Sequence, residues 1–199
     1  DWMHDGEVVR NGSFNDIKSG DFVLCRNTKP LVELYFYFLN LEKPAYIKGS
    51  DIGRGLVKTI EPFRKHDMKG LLFEMEKELE EIEKRLRLHG VEQPQKNKTY
   101  VTYQEKLEIV RVLSWKCKTA EDMIGLIYRI FTEDGKGIVL STIHKSKGLE
   151  ADNVYFYLSH LLPSKYATED WEKEQEQNLL YVTITRAKKK FVFVDNEQI

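Results

Sequence analysis

With 199 residues, 41% of them hydrophobic, the chain can bury a proper core as one large domain or as one domain carrying a sizeable insertion. Its 31 Lys and Arg balance 32 Asp and Glu to a net charge of −1, which excludes the global basic field of a dedicated nucleic-acid coat protein, so any contact with a strand must be local. No stretch approaches the ~20 apolar residues of a membrane span and the polar N-terminus is no signal peptide, so a cytoplasmic protein without a membrane partner is expected.

In chain order, Val8-Val9 reads as an edge strand and Asn11-Gly12 as the turn after it. Residues 21–26 form a short apolar strand, 30–41 an apolar helix and 45–48 a second strand. From about residue 63 to 134 the grammar changes. Leu72, Met75, Leu79, Ile82 and Leu86 recur at 3-4-3-4 spacing among many Glu and Lys, which predicts one apolar stripe along a solvated helix. Its expected partners are a helix over 104–115 and one opened by Thr119, where Thr-Ala-Glu-Asp122 resembles a capping box and Ala120, Met123, Ile124, Ile127, Tyr128 and Phe131 give the core face. The polar stretch 90–98, with Pro94, predicts a loop between them. Strands then return at 137–142, 153–158 and 190–195, with a helix over about 169–183. Continuous apolar strands between helices indicate a parallel sheet covered on both faces. The expected fold is α/β, with residues 1–62 and 135–199 forming the sheet layer and 63–134 a small helical insertion.

Cys25 and Cys117 lie far apart, and His4, His66, His89, His144 and His160 form no metal-type cluster, so a reducing environment and no structural metal are expected.

Two segments carry chemistry: Thr142-Ile-His-Lys-Ser-Lys-Gly-Leu-Glu150 and, farther on, Asn178-Leu-Leu-Tyr-Val-Thr-Ile-Thr-Arg-Ala-Lys188. The pair resembles motifs V and VI of UvrD/Rep-type superfamily 1A DNA helicases, where they form one wall of an ATP site and part of a single-strand track. The resemblance implies the second RecA-like domain of such an enzyme, working in DNA repair or replication. No Gly-x-x-x-x-Gly-Lys-Ser/Thr stands here: the nearest Gly-Lys, Gly135-Lys136, has Ile130 and Gly137 at the other required positions. The resemblance therefore implies half of a motor, with ATP and Mg²⁺ held against the N-terminal RecA-like domain of the same protein, which would supply the metal ligands. The chain alone is expected to be inactive, and its start at Asp1 fits an excised fragment.

What the resemblance implies for individual residues is specific. Arg186 would reach the γ-phosphate, where a planar guanidinium pairs with two oxygens of the transferring group, an effect worth about 10³–10⁵ in rate. Arg26, in a segment resembling motif IV, would complete the fork. Family members commonly place an aromatic residue before this arginine to stack on adenine, whereas this chain has Cys25. Glu150 would meet the ribose, Gly148 would let the backbone turn beside the nucleotide, and Lys147 would face the same ligand. Thr142, His144, Lys145 and Ser146 would hold phosphates of single-stranded DNA, with Arg54 as a farther contact. Lys188-Lys-Lys190 reads first as a solubilising surface run.

Two alternatives compete with the motor. One is a non-enzymatic nucleic-acid or protein binding module that keeps the RecA-like fold, against which the joint presence of Arg26, Glu150 and Arg186 argues. The other is the translocase part of a helicase-nuclease, for which no carboxylate and lysine constellation stands out.

Overall fold

The computed structural model describes residues 6–167 and 169–195. In chain order its elements are β1 (Glu7–Val9), β2 (Phe22–Cys25), α1 (Thr28–Asn40), β3 (Ala45–Lys48), α2 (Ser50–Ile60), α3 (Met68–Leu88), α4 (Lys98–Ser114), α5 (Ala120–Ile130), β4 (Phe131–Thr132), β5 (Ile138–Thr142), β6 (Ala151–Tyr157), α6 (Asp170–Ile184) and β7 (Ala187–Val194). Two compact units result, Asp1–Gly49 with Thr132–Ile199, and Ser50–Phe131. The helix α2 thus groups with the helices that follow it, beside boundaries of 62/63 and 134/135 drawn from the sequence.

The first unit is organised by a sheet in the order β1-β7-β6-β2-β5-β3-β4. The pairs β1 with β7, β7 with β6, β6 with β2, β2 with β5 and β5 with β3 are all parallel. This is the α/β, RecA-like layer expected from apolar strands separated by helices.

Side-chain alternation along β6 shows how both faces are covered. Val154 and Phe156 join Leu24 of β2, Phe191 of β7 and Leu179 of α6 in one buried cluster. Tyr155 and Tyr157 point the other way. The Tyr157 ring lies 5.0 Å from that of Phe14, which in turn lies 6.0 Å from Phe38 of α1. Therefore α6 packs on one face, while α1 and the short 3-10 turn Phe14–Asp16 pack on the other.

Entry into β5 depends on Gly137, whose φ of +112° lies in the left-handed region. A side chain there would run into the Pro44 carbonyl, which accepts the Ile138 N–H at 2.8 Å.

In the second unit, Asp67 N-caps α3 by accepting the Gly70 N–H at 2.8 Å, and the Thr119 and Asp122 capping box closes the start of α5. The stripe on α3 is buried at Leu71, Met75 and Ile82, with Leu72, Leu79 and Leu86 half-buried beside it. On α5, Met123, Ile127 and Ile130 form the buried row. Tyr128, expected inside, is 56% exposed, because Ile130 at i+7 from Met123 completes the row and leaves residue 128 one position round the helix. The helix α4 starts earlier than expected, at Lys98, because the Asn97 side chain caps it by accepting the Thr99 N–H at 2.9 Å.

Candidate functional site

Two groups of candidate residues occupy opposite edges of the parallel sheet in the first unit. At the carboxyl edge, Arg26 follows β2 and His144 follows β5. Arg26 closes on Glu176 of α6, with Nη2 2.7 Å from Oε1 and Nε 3.0 Å from Oε2. Oε2 of Glu176 also accepts the Ser164 N–H at 2.8 Å. The Glu176 side chain is 8% exposed and that of Arg26 21%, so this is a largely desolvated, two-pronged ion pair.

Burial by itself would raise the Glu176 pKa. The hydrogen bonds from Arg26 and Ser164, with the charges of Arg26 and His144, outweigh it and hold the carboxyl below its ordinary value. His144 is shifted down as well, first by desolvation and then by the Arg26 guanidinium, with Glu176 opposing. The three side chains thus form one electrostatic unit.

Glu176 was not singled out among the sequence candidates. Its signal lies in spacing: Glu176, Leu179 and Thr183 fall at i, i+3 and i+7, and all three are buried. A carboxylate on the apolar row of a helix requires a buried partner.

Cys25 faces the core and is fully buried, and burial pushes its thiol up to about 11. A side chain at this position is occupied in packing, so the departure from an aromatic residue changes the core and not a ligand surface.

The turn after β5 divides its residues. Ser146 is fully buried and its hydroxyl donates to the Ile143 carbonyl at 2.8 Å, while Thr142 is 7% exposed. Both shape the turn, and Ser146 is directed away from any passing strand because its one proton is committed inward. His144, Lys145 and Lys147 are exposed along the same turn.

At the amino edge, Arg186 lies between α6 and β7. Its Nε donates to the Val182 carbonyl at 3.0 Å, Nη1 to the Leu149 carbonyl at 3.0 Å, and Nη2 to Thr185 Oγ1 at 3.1 Å. The backbone agrees, since Ala151 N–H donates to the Arg186 carbonyl at 3.0 Å. Arg186 therefore ties the end of the first chemistry-bearing segment to the end of the second. Beside it, Gly148 has φ +81° with open space where a Cβ would stand, and Glu150 is exposed with Oε2 3.4 Å from Lys188 Nζ. Lys189 pairs with Asp152 at 2.7 Å and Lys190 with Glu7 at 3.5 Å, so each lysine of this run meets a carboxylate.

The structure does not bring Arg26 and Arg186 together. Arg186 bonds the first residue of β6, while Arg26 lies level with its last residues, since Leu24 pairs with Phe156. About six steps of strand, on the order of 20 Å, separate the two levels. Within this unit the two arginines therefore stand toward opposite edges of the sheet, and the expected fork is not assembled. Arg54 stands apart from both groups in sequence organisation: it lies on α2 of the helical unit and donates from Nη1 to Ser50 Oγ at 3.2 Å.

Among the described residues, no group of three or more His, Cys, Asp and Glu gathers as a metal site, and no helix is long and apolar enough to cross a membrane.

Residues 128–198, which include both chemistry-bearing segments, match the family model of the UvrD-like helicase C-terminal domain. Over these residues the chain is similar to the UvrD-like helicase C-terminal domain. It is 33% identical over 97 residues to the putative ATP-dependent DNA helicase YjcD of Bacillus subtilis, a match covering 42% of this chain and 13% of that protein. It is 39% identical over 71 residues to F-box DNA helicase protein 1 of Schizosaccharomyces pombe, covering 32% of this chain and 8% of that protein. The aligned stretch is thus a small part of either relative. Residues 128–198 include the edge at which Arg186 bonds Leu149 and the helix that carries Glu176.

Proposed function

We propose that the UvrD-like domain is the second motor domain of an ATP-dependent DNA helicase or translocase, and that Arg186 acts on the terminal phosphate of ATP bound against a first motor domain of the same protein. The bond between the Arg186 guanidinium and the Leu149 carbonyl carries this reading, because it places the two segments resembling motifs V and VI at one edge. The residues there fit a nucleotide. Gly148 leaves room for close approach, the exposed Glu150 carboxylate is an acceptor for ribose hydroxyls, and Arg186 has engaged three of its five N–H groups. Lys147 adds a positive charge to the same turn.

ATP, with Mg²⁺ held by the first domain, supplies the phosphoryl group whose transfer to water drives stepping. Arg186 is held in place before the cleft closes, so its remaining N–H groups are oriented without further ordering cost. Glu150 fixes the sugar end. At the other edge, Arg26, His144 and Lys145 face single-stranded DNA and grip its phosphates without reading sequence. In this assignment Arg26 belongs to the track and not to the phosphoryl site, and Thr142 and Ser146 support the turn. Changes at one edge of the sheet then accompany changes in grip at the other. Soluble work in the cytoplasm is part of the same proposal.

The test is steady-state ATPase of the complete protein on saturating single-stranded DNA. Arg186→Ala and Arg186→Lys are each expected to lower kcat at least ~10²-fold with a much smaller change in nucleotide affinity. The chain alone is expected to show no turnover. Near-normal kcat in Arg186→Lys, or turnover by the chain alone that Arg186→Ala abolishes, overturns the reading.

A second reading, a non-enzymatic binding platform with the same fold, draws on the three internal hydrogen bonds of Arg186, which by themselves give that residue a structural task. Unchanged DNA affinity together with absent ATPase in the complete protein would favour it.

A further inference from the structure

Among the exposed aromatic side chains of the helical unit, Phe73 and Trp115 are the two most exposed. Phe73 on α3 is 62% exposed, and Trp115, which ends α4, is 89% exposed. Their positions follow from the packing of α3 against α4. Arg111 of α4 bonds Glu76 of α3 at 2.8 Å. The two helices run antiparallel at this end, since the chain just past α4 returns to the start of α3: Asp67 bridges Thr119, and the Ala120 N–H donates to the His66 carbonyl at 3.2 Å. One turn beyond Arg111 stands Trp115, and one turn before Glu76 stands Phe73. Both aromatics therefore rise from the same end of the helix pair, within roughly the 8–10 Å that separates packed helices.

Charge around the pair is basic and available. Lys69 and Lys77 stand four residues before and after Phe73 on its own face, and Lys65 precedes α3. Lys118 follows Trp115, with Asp122 the carboxylate that feels its charge. Several of the neighbouring carboxylates are already engaged. Asp67 caps α3, Asp122 caps α5, Glu121 bonds Arg64 at 2.7 Å, and Glu76 and Glu108 share Arg111 at 2.8 and 2.6 Å. Lys65 and Lys69 make no ion pair among the described residues. Glu81 lies within the field of Lys77 and pairs with Lys84 at 2.7 Å.

We infer that this end of the helical unit is a second binding surface for single-stranded nucleic acid, with bases stacking on Phe73 and Trp115 while Lys65, Lys69 and Lys118 meet the phosphates. Exposed rings interleaved with ammonium groups suit an unpaired strand, which offers a π-face and a negative charge at every nucleotide. A purely apolar protein partner has no use for the lysines, and duplex DNA keeps its base faces covered. The surface is sequence-tolerant and salt-sensitive, because neither stacking nor phosphate contact reads base edges. It is independent of the motor proposal: it lies on residues 65–118, outside the segments resembling motifs V and VI, and stands or falls without Arg186.

The test uses the whole chain with Trp2 and Trp171 replaced by Phe, so that Trp115 is its one indole, and an oligo-dT of about 15 nucleotides as probe. Strong quenching of Trp115 emission on addition of oligo-dT is expected, reversed by salt. In a parallel anisotropy titration of the otherwise unaltered chain, Phe73→Ala with Trp115→Ala should weaken oligo-dT binding at least about tenfold. Binding of inorganic polyphosphate, which has charge but no bases, should change less than about twofold in the same variant. Both positions are exposed, and a thermal melt checks that the variant is folded. Unchanged Trp115 emission with oligo-dT overturns the inference and leaves a protein partner for the patch. Equal losses for oligo-dT and polyphosphate also overturn it, since charge alone would then explain binding.

Discussion

Arg26 and Glu176 stand 150 residues apart in the chain and close on each other through Nη2 and Oε1 at 2.7 Å and Nε and Oε2 at 3.0 Å. The contact pins the segment after β2 to the first half of α6, and it gathers the Ser164 N–H as well. Removing one partner leaves the other desolvated and uncompensated. Glu176→Ala should therefore cost about 3 kcal/mol, the lower end for breaking a buried pair, because Arg26 retains some contact with water. Urea denaturation of Arg26→Ala, Glu176→Ala and the double variant measures it. The double variant should lose clearly less than the sum of the singles, and additive losses would mean that the two side chains are not coupled.

The same pair sets an acid limit. A Glu176 pKa held below its ordinary 4.5 in the fold means that the unfolded chain binds the proton more readily. The stabilisation is complete above about pH 4.5 and is lost as pH falls through the depressed folded value. Stability measured from pH 6 down to pH 3 should fall for the parent chain. The fall should be shallower for Glu176→Gln, which starts lower at neutral pH and has no such proton to take up.

His144 gives an independent reading of this cluster. Its folded pKa lies below the usual 6.5, so lowering the pH through 6.5 favours the unfolded chain, and the loss levels off below the folded value. In an NMR titration its midpoint should fall further in Glu176→Gln, which removes the opposing carboxylate, and rise in Arg26→Gln, which removes the repelling guanidinium. A midpoint indifferent to both changes would place His144 outside the cluster.

Arg186 should matter for stability before any ligand is considered. Lysine cannot reproduce bonds to Val182, Leu149 and Thr185 from three different nitrogens. Arg186→Lys is expected to cost the isolated chain about 1.5–3 kcal/mol by thermal or urea unfolding, as for the loss of one hydrogen bond involving a charged group. This exceeds the ±0.5 kcal/mol typical of a surface substitution. A loss of activity in the complete protein must therefore be measured at a temperature where the variant is fully folded.

At Gly137, Ala should be destabilising by at least about 2 kcal/mol, because the left-handed backbone and the close Pro44 carbonyl act together. Gly20, with φ +93° and open space around it, provides the comparison: Ala there meets the backbone penalty alone and should cost about 1 kcal/mol. Equal melting shifts for the two variants would show that the contact with Pro44 adds nothing.

The strands from Phe22, Ala45, Ile138 and Ala151 were legible in the sequence because a buried parallel strand is a continuous apolar run, and the capping box at Thr119 because its two side chains are three residues apart. Such signals are local, set by the chain's own periodicity and hydrogen-bonding needs. Segments 142–150 and 178–188 were legible as a resemblance for the same reason, being contiguous. Edge placement was not. Whether Arg26 and Arg186 share a site depends on strand direction and register, and the parallel ladders separate them while bringing Arg26 to Glu176 across 150 residues. Burial likewise turned Ser146 inward and Cys25 into the core, since which face of a turn or strand is covered depends on what packs against it. The sequence by itself determined the elements and the chemical groups available. Only the tertiary structure decided which groups meet, because contact between distant residues is a property of packing and not of local pattern.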